Sequence, residues 1–343
     1  MSKKIKFSII GCGRIFKKHL NFFEITKLNF IKLVSVCDID INVLDKIESK
    51  LNFKKFYSID EMCKKTNPDV IVILTPSGFH FSVFKKVSKY KTHIIVEKPI
   101  ALKSNHAETM INTAKKNKKF LFVVKQNRYN LPVVKLKEAI DKKRFGKMIL
   151  ATTRVRWKRD QNYFDLANWR GTKDYDGGIF WNQASHHVDL LLWLAGPVKS
   201  VFAKSTKSLL KIETEDTASC IVNFKNGSLG VIEATTAVKP KDLEGSISII
   251  GEKGTVIIGG FAVNKIENWD FIKMYKKDYE IKKKYNLNPK NVYGFGHNLL
   301  YEDIINKIIN KKSSALEGDK ILDSVRVIEA IYKSIKLNKE IFI

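Results

Sequence analysis

Two segments of the sequence carry side chains suited to proton transfer. Lys98 lies in the triplet EKP at 97–99, directly after the apolar run THIIV, and His186 lies in GGIFWNQASHHVD. Histidine takes and returns a proton near neutral pH, and partial burial beside a positive charge lowers the pKa of a lysine. The alternatives are a solvated lysine at a strand end and a core histidine held by Asn182 or Asp189. We expect Lys98 and His186 to be catalytic.

A helix predicted over 180–195 would carry the histidine. Asn182, His186 and Asp189 recur at i, i+4 and i+7, so they would share one face of that helix. His187 would point about 100° away from this face and is the weaker candidate.

The stretch FSIIGCGRIF near the start of the chain has the pattern of a phosphate-binding turn. An apolar strand at 5–10 precedes Gly11 and Gly13, and helical spacing follows over 14–23. Gly11 would make the tight turn, Gly13 would let the backbone approach a pyrophosphate, and helix N–H groups would face the anion. Phe16 occupies the third glycine position of the fingerprint. The alternative is an ordinary βα turn.

Asp38 favours the dinucleotide interpretation. It ends a second apolar run, KLVSVCDID, 25 residues after Gly13, where a carboxylate binds the ribose hydroxyls. Ile39 and Asp40 follow it, and neither is a basic residue that would hold a 2′-phosphate. The sequence therefore favours NAD over NADP.

Further candidates follow other predicted strands, because ligands of open parallel sheets bind beyond the carboxyl ends of the strands. Thr75, Pro76 and His80 lie in LTPSGFH, where His80 is either a cofactor contact or an ordinary residue at a helix N-terminus. Pro99 constrains the backbone at Lys98, and the bond between them is a candidate for the cis isomer. The predicted cofactor-binding residues are Gly11, Cys12, Gly13, Arg14, Ile15, Asp38, Thr75, Pro76, His80, Glu97, Lys98 and Gln126.

Apolar strands alternate with amphipathic helices in the first third of the chain, which predicts a doubly wound parallel sheet. The strands are expected at 5–10, 31–37, 69–76, 92–99 and 119–126. The fold class is α/β, with a Rossmann domain at 1–126.

Longer β-rich segments follow, with hairpins at KNGS and EKGT whose glycines would supply positive φ. They predict a second α/β domain at 127–343 with an open, largely antiparallel sheet. Its helices are expected at 131–142, 180–195, 298–312 and 319–336. The exposed face of this half-covered sheet is expected to pack against a second copy of the chain, giving a homodimer or homotetramer.

Composition narrows the function classes. The chain has 343 residues, 44% of them hydrophobic, and a formal net charge of +27. The lysines are scattered and no nucleic-acid-binding motif is present, so we expect the protein to bind no specific nucleic acid. The electrostatic field of the positive charge would instead attract an anionic substrate. No apolar stretch has membrane-spanning length and no secretion signal is visible, which makes the cytoplasm the expected location. Four separated cysteines, Cys12, Cys37, Cys63 and Cys220, predict reduced thiols without zinc or disulfides.

In order along the chain, GCGRI, CDID, TPSGFH, EKPIAL, KQNRYN and GGIFWNQASHHVD together resemble the glucose-fructose oxidoreductase/inositol dehydrogenase (Gfo/Idh/MocA) family. The resemblance spans essentially the whole chain. It implies a Rossmann domain, an α/β domain whose open sheet mediates oligomers, and tightly held NAD(P). Lys98 resembles the signature lysine and His186 the acid/base histidine. Asn182 occupies the position where many members have Asp. An amide does not raise the pKa of the histidine as a carboxylate does, so a proton relay through this position is not expected, but Asn182 can still hydrogen-bond to substrate.

Asn182 together with RDQNYFDLANWRGT is similar to a branch that oxidises the 3-hydroxyl of UDP-N-acetylhexosamines or their uronic acids, in making amino sugars for surface polysaccharide or lipid A. In the implied reaction, His186 removes the hydroxyl proton with help from Lys98 while hydride passes to the nicotinamide. Guanidinium groups suit pyrophosphate and carboxylate, although each is equally suited to a surface ion pair. The expected substrate-binding residues are Lys98, Arg128, Tyr163, Arg170, Asn182 and His186, and no metal is expected.

Three alternatives stay open. One is an NAD-dependent dehydrogenase of a free polyol such as inositol, which needs no diphosphate site. Another is an NAD-dependent glycosidase, which oxidises and re-reduces its substrate in one turnover. The third is a dinucleotide-sensing regulator, against which the presence of both Lys98 and His186 argues. All enzymatic readings require these two side chains to meet in one crevice.

Overall fold

The structure is a computed structural model that describes residues 4–285 and 296–343. The chain divides into two compact units, Met1–Val124 with His297–Leu322 and Lys125–Gly296 with Asp323–Ile343. None of the helices in the described ranges is both long and apolar enough to cross a bilayer.

The first unit contains a six-stranded sheet in which every strand pair is parallel. The strands are β1 (Ile5–Ile10), β2 (Ile31–Cys37), β3 (Lys54–Phe56), β4 (Val70–Ile73), β5 (His93–Val96) and β6 (Leu121–Val123). The order β3-β2-β1-β4-β5-β6 changes direction between β1 and β4, and such a switch point is where doubly wound sheets bind ligands. The predicted fold class of this unit is confirmed.

Strands β4 and β6 are unbroken apolar runs because they are buried on both faces. All of their residues are buried. The helices that connect the strands of the sheet are α1 (Phe16–Ile25), α2 (Ile41–Asp45), α3 (Ile59–Thr66), α4 (His80–Ser88) and α5 (Ser104–Lys116). Strand β3 is not predicted from sequence, since KKF is short and mostly polar.

Three predicted strands are too long at their carboxyl ends. The expected ends at 76, 99 and 126 each lie three residues beyond the ends of β4, β5 and β6. The chain leaves the sheet before the candidate residues, so Thr75 and Lys98 lie in loops that follow β4 and β5. Gln126 begins a short 3-10 helix, Gln126–Tyr129, in the second unit.

The second unit contains a mixed, largely antiparallel sheet of eight strands. In chain order its elements are α6 (Leu131–Asp141), β7 (Met148–Arg156), α7 (Gln161–Asp165), α8 (Ser185–Ala195), β8 (Val198–Thr206), β9 (Thr217–Phe224), β10 (Leu229–Thr235), β11 (Glu244–Gly251), β12 (Gly254–Gly259), β13 (Lys265–Phe271) and α9 (Lys276–Lys284). After α10 (His297–Asn310), which belongs to the first unit, α11 (Leu322–Leu337) and β14 (Ile341–Phe342) follow. The predicted open, largely antiparallel sheet is confirmed.

The strand order is β13-β12-β11-β7-β10-β9-β8-β14, and β7 with β10 is its parallel pair. Buried and accessible residues alternate along β9, as in a sheet covered on one face. The hairpin at KNGS joins β9 to β10, with Gly227 at φ +85°. The hairpin at EKGT joins β11 to β12, but the expectation of positive φ at Gly254 is wrong. Glycine is needed there because a Cβ would lie 2.2 Å from the Phe271 ring.

The segment 297–322, expected in the second domain, packs in the first unit. Its helix α10 buries Leu300, Tyr301 and Ile304, and the Tyr301 ring stacks on Phe22 of α1 with centroids 4.3 Å apart. The chain enters the second unit at Lys125, close to the expected boundary. The cofactor and substrate roles given to the two domains remain predictions.

Candidate active site

Gly11 and Gly13 differ in what surrounds them. Gly11 follows β1 with φ +93°, and a Cβ there would lie 2.8 Å from the carbonyl carbon of Leu74 and the nitrogen of Thr75. Only glycine tolerates both that conformation and that approach to the end of β4. A Cβ on Gly13 would meet no atom within 4 Å, so its backbone faces open space. Arg14 and Ile15 lead into α1, whose N-cap residue makes no side-chain cap.

The Asp38 carboxylate is fixed beside this turn by two backbone donors. The nitrogen of Cys12 donates to Oδ2 over 2.7 Å, and the nitrogen of Asp40 donates to Oδ1 over 3.0 Å. The turn after β1 and the end of β2 are therefore joined at the carboxyl edge of the sheet. Each carboxylate oxygen retains lone pairs for further donors, which is compatible with the predicted ribose contact.

His80 joins two strand ends. It is buried at the start of α4, with Nδ1 2.7 Å from the carbonyl oxygen of Pro99 and Nε2 2.8 Å from that of Thr75. Carbonyl oxygens only accept, so both bonds form together only when both ring nitrogens carry protons. Burial lowers the pKa of His80, while the two carbonyl bonds act to raise it. Its predicted cofactor contact remains a prediction.

The EKP triplet has a buried carboxylate and a cis bond between Lys98 and Pro99. Glu97 Oε2 accepts from the backbone nitrogen of Lys98 over 2.9 Å, and Oε1 lies 3.0 Å from Nε2 of His19. Burial acts to raise the pKa of Glu97, but the His19 hydrogen bond and nearby positive charge outweigh it and hold that pKa at about 2. Glu97 is therefore an ionised carboxylate in the interior of the unit.

In the second unit, α8 begins at Ser185, so the predicted helix start at 180 is wrong. Residues 179–184 form turns instead, held by bonds such as the Ala184 nitrogen to the Ile179 carbonyl. Asn182 therefore precedes the helix and does not share its face with His186. The Asn182 amide nitrogen donates to Asp176, whose other oxygen accepts from the nitrogen of Gly171 over 2.7 Å.

Asp189 on α8 is engaged with a guanidinium. Arg128 Nε and Nη2 each donate to its carboxylate over 2.8 Å, and Lys125 Nζ lies 3.8 Å from Oδ1. All three side chains are at most 4% exposed. The Arg128 guanidinium therefore forms a bidentate ion pair with Asp189. The expected contact of Arg128 with substrate remains a prediction.

The remaining expected substrate residues form a separate pair. Arg170 Nη1 donates to the Tyr163 hydroxyl over 2.6 Å, and the guanidinium lies 4.5 Å from the centres of the Tyr163 and Trp169 rings. Arg170 lines a cleft of about 720 Å³ that also contains Lys207 and Lys211 and the carboxylates of Asp165 and Glu213. The cleft therefore has groups of both charges, and the Arg170 fork is the one suited to a carboxylate or phosphate.

These geometries fit an NAD site on the first unit. The backbone at Gly13 faces open space, Asp38 is held at the turn, and the buried Thr75 hydroxyl has no hydrogen-bond partner among the described residues. A ligand hydroxyl would satisfy Thr75. Gln126 belongs to the second unit, where its Oε1 is buried without a partner in the described parts of the chain, and its predicted cofactor contact remains a prediction.

Comparison with known proteins agrees with this fit. The model of an oxidoreductase family with an NAD-binding Rossmann fold matches residues 5–125, and that of the GFO/IDH/MocA C-terminal domain matches residues 133–257. The chain belongs to the GFO/IDH/MocA family. It is an NAD-dependent oxidoreductase, so the predicted family, enzyme class and cofactor are confirmed.

Two kinds of dehydrogenase are among the proteins similar to the chain. It is 39% identical to the WlbA dehydrogenase of Chromobacterium violaceum, with 100% of this chain and 97% of that chain covered and a TM-score of 0.93. It is 37% identical to WlbA of Bordetella pertussis, with 99% of both chains covered and a TM-score of 0.91. Both were crystallised with NADH and UDP-GlcNAcA. Myo-inositol 2-dehydrogenase of Thermotoga maritima is 27% identical over 74% of each chain.

Sequence reasoning missed three residues that support the family motifs. His19 and Tyr301 support Glu97, and Asp176 holds Asn182. His19 lies four residues after Ile15 on the apolar side of α1, which was a usable signal. Tyr301 and Asp176 had no local signal, because their partners are distant in sequence or lie in irregular turns.

Proposed function

We propose that this NAD-dependent oxidoreductase oxidises the 3-hydroxyl of a UDP-N-acetylhexosamine or of its uronic acid. The observation that carries the proposal is the similarity of 39% and 37% identity, over nearly complete chains, to two WlbA dehydrogenases crystallised with UDP-GlcNAcA. The product would serve the synthesis of amino sugars for surface polysaccharide or lipid A. The more distant myo-inositol 2-dehydrogenase supports a free polyol as the alternative substrate.

In the proposed reaction His186 accepts the proton of the substrate hydroxyl. Lys98 assists by hydrogen bonding to the same oxygen as it becomes a carbonyl, and the C3–H bond breaks. NAD, when bound, supplies the acceptor for the hydride that leaves C3. The proton goes to the imidazole and the electron pair leaves with the hydride, so the alcohol is oxidised to a ketone. Alignment of these groups in one crevice is part of the proposal.

Several side chains are proposed to bind the two ligands. Asp38 binds the adenosine ribose and the Gly11–Gly13 turn binds the pyrophosphate of NAD. Arg170, with Tyr163, binds an anionic group of the UDP-sugar. The guanidinium lines a cleft, and its buried Nε has no hydrogen-bond partner among the residues that the structure describes. Asn182 hydrogen-bonds substrate. Its side chain is held in place by the bond that its amide nitrogen donates to Asp176.

A second copy of the chain is the proposed partner. The face of the eight-stranded sheet opposite its core presents Ile221 and Leu229, which are 47% and 44% exposed. An open sheet face with apolar side chains is stabilised by pairing with another such face. Light scattering after gel filtration should give a dimer or tetramer, and Ile221→Lys should shift it toward the monomer. Action in the cytoplasm remains a prediction from sequence.

The test is incubation of purified protein with NAD and a panel of UDP-sugars while nicotinamide absorbance is followed. UDP-N-acetylglucosamine or its uronic acid should give NADH, and N-acetylglucosamine without UDP should not. Lys98→Ala and His186→Ala should each lower kcat by about 100-fold or more. Lys103→Ala, an exposed lysine five residues further on, is the matched control.

Other outcomes separate the alternatives. Turnover of inositol but of no UDP-sugar would replace the substrate proposal with the polyol alternative. Release of sugar without net NADH would indicate a glycosidase. A parallel reaction with added 2-oxoglutarate detects NADH that is reoxidised without leaving the protein. Full activity of Lys98→Ala would contradict the proposed role of the lysine.

A further inference from the structure

The interior of the first unit contains a hydrogen-bonded chain of side chains that ends at the EKP triplet. The Tyr301 hydroxyl lies 2.7 Å from Nδ1 of His19, and Nε2 of His19 lies 3.0 Å from Oε1 of Glu97. The other oxygen of Glu97 accepts from the backbone nitrogen of Lys98. His19 and Tyr301 are fully buried, and Glu97 is 8% exposed.

One assignment of protons satisfies every member of this chain. An ionised Glu97 only accepts, so Nε2 of His19 carries the proton and donates to it. Nδ1 of the neutral ring is then an acceptor, and the Tyr301 hydroxyl donates to it. Glu97 is the acceptor of two hydrogen bonds, one from His19 and one from the backbone of Lys98. Such complete satisfaction is what makes a buried polar network rigid.

A metal ion is the competing use of the same residues. His19, Glu97 and His297 each place a possible ligand atom within 4.8 Å of the others. A metal would take the Nε2 lone pair of His19 and the Glu97 oxygen, yet these two atoms are joined by a hydrogen bond. The hydrogen bond is the arrangement that leaves Tyr301 with a suitable acceptor. The residues are therefore better explained as a support than as a metal site.

We propose that His19 is a positioning residue for Lys98, acting through Glu97, and that Tyr301 fixes the ring of His19. Loss of the His19 donor removes the main support of a buried carboxylate, which then takes up a proton or turns away. Either change removes a negative charge beside Lys98 and frees the backbone at the start of the triplet. On the other side of Lys98, the Pro99 carbonyl is held by His80. The inference rests on the proposed catalytic role of Lys98.

The variants that test this inference differ in what they can donate. His19→Leu fills the space without a donor, His19→Gln keeps an amide that can donate to Glu97, and Tyr301→Phe removes one oxygen. His106→Gln is the matched control, because His106 lies in α5 and its ring stacks on Phe81. Urea unfolding establishes that each variant is folded before any other measurement.

Three measurements separate positioning from a general loss of structure. With the substrate identified above, His19→Leu should lower kcat by about 10- to 100-fold and change KM by less than about threefold, because the lysine is displaced by a fraction of an ångström to an ångström. NADH affinity, from fluorescence titration, should change by less than about threefold. His19→Gln should recover at least about tenfold in kcat, and Tyr301→Phe should cost about three- to tenfold.

A measurement without substrate completes the test. Labelling of Lys98 with trinitrobenzenesulfonate across pH, read by peptide mass spectrometry, gives the pH at which this amine becomes reactive. That midpoint should move to lower pH in His19→Leu, since the neighbouring carboxylate charge is lost, and return in His19→Gln. If His19→Leu does not fold, the same measurements of kcat, NADH affinity and labelling midpoint are compared between His19→Gln, Tyr301→Phe and the wild type.

The outcomes distinguish this inference from the proposed function. A folded His19→Leu with the wild-type kcat and the wild-type labelling midpoint overturns the inference alone, provided that Lys98→Ala is inactive. An active Lys98→Ala overturns the proposed role of Lys98 first. One equivalent of zinc in the purified protein, lost together with activity on chelation, would show that the cluster is a metal site and would also overturn the inference.

Discussion

The two units hold their buried carboxylates in different ways. Glu97 in the first unit accepts hydrogen bonds from a histidine ring and from a backbone nitrogen. Asp189 in the second unit is satisfied by the charged fork of Arg128, with Lys125 nearby. The first carboxylate is therefore held by hydrogen bonds to a ring and to the backbone, and the second by a bidentate ion pair.

Arg128→Ala should produce the largest effect on stability. It would leave the Asp189 carboxylate buried without its bidentate donor, and breaking a buried pair in this way costs about 3–5 kcal/mol. Urea unfolding at neutral pH measures the loss. Lys65→Ala, which breaks an exposed pair with Glu61, should cost less than about 0.5 kcal/mol. Equal losses in the two variants would remove the distinction between buried and surface pairs.

Acidification should weaken the first unit through His297 and Glu97. Burial lowers the pKa of His297 to about 3, so the unfolded chain takes up a proton near pH 6.5 while the folded chain does not. The free energy of unfolding should fall below that pH by up to about 1.4 kcal/mol per pH unit from this group.

Glu97, whose folded pKa is about 2, contributes stability that is present above pH 4.5 and lost between pH 4.5 and 2. His297→Gln should flatten the dependence between pH 6.5 and 4 in urea titrations. An unchanged slope in that variant would mean that His297 is not the source of the acid sensitivity.

The glycine turn offers the smallest and most selective test. Gly11→Ala introduces a Cβ at positive φ and against the end of β4, and should cost about 1–3 kcal/mol. Gly13→Ala meets no protein atom, so its unfolding free energy should change by less than about 0.5 kcal/mol. NADH titration should nevertheless show weaker binding by about tenfold or more, because the methyl group occupies the space proposed for pyrophosphate. Wild-type affinity in Gly13→Ala would place the cofactor elsewhere.

The same comparison explains what the sequence could predict. The parallel sheet, five of its six strands and the G-x-G turn depend on local apolar runs and on glycines a few residues apart, and these were predicted. In the second unit, Asp189 of α8 is held by Arg128, 61 residues earlier, and Asn182 before the helix is held by Asp176 in an irregular turn. A periodic pattern contains no information about such pairs. The predicted start of α8 was wrong for a related reason, since the turns at 179–184 interrupt an otherwise helical spacing.

Helix α10 has a consequence for synthesis of the chain. All six strands of the parallel sheet have been synthesised once residue 124 is added, yet the helix that packs on α1 is encoded about 175 residues later. Until then, Phe22 and His19 lack the Tyr301 ring. We expect the nascent sheet to expose an apolar patch during most of translation. The first unit can therefore complete its packing only after residues 125–296 of the second unit have been synthesised.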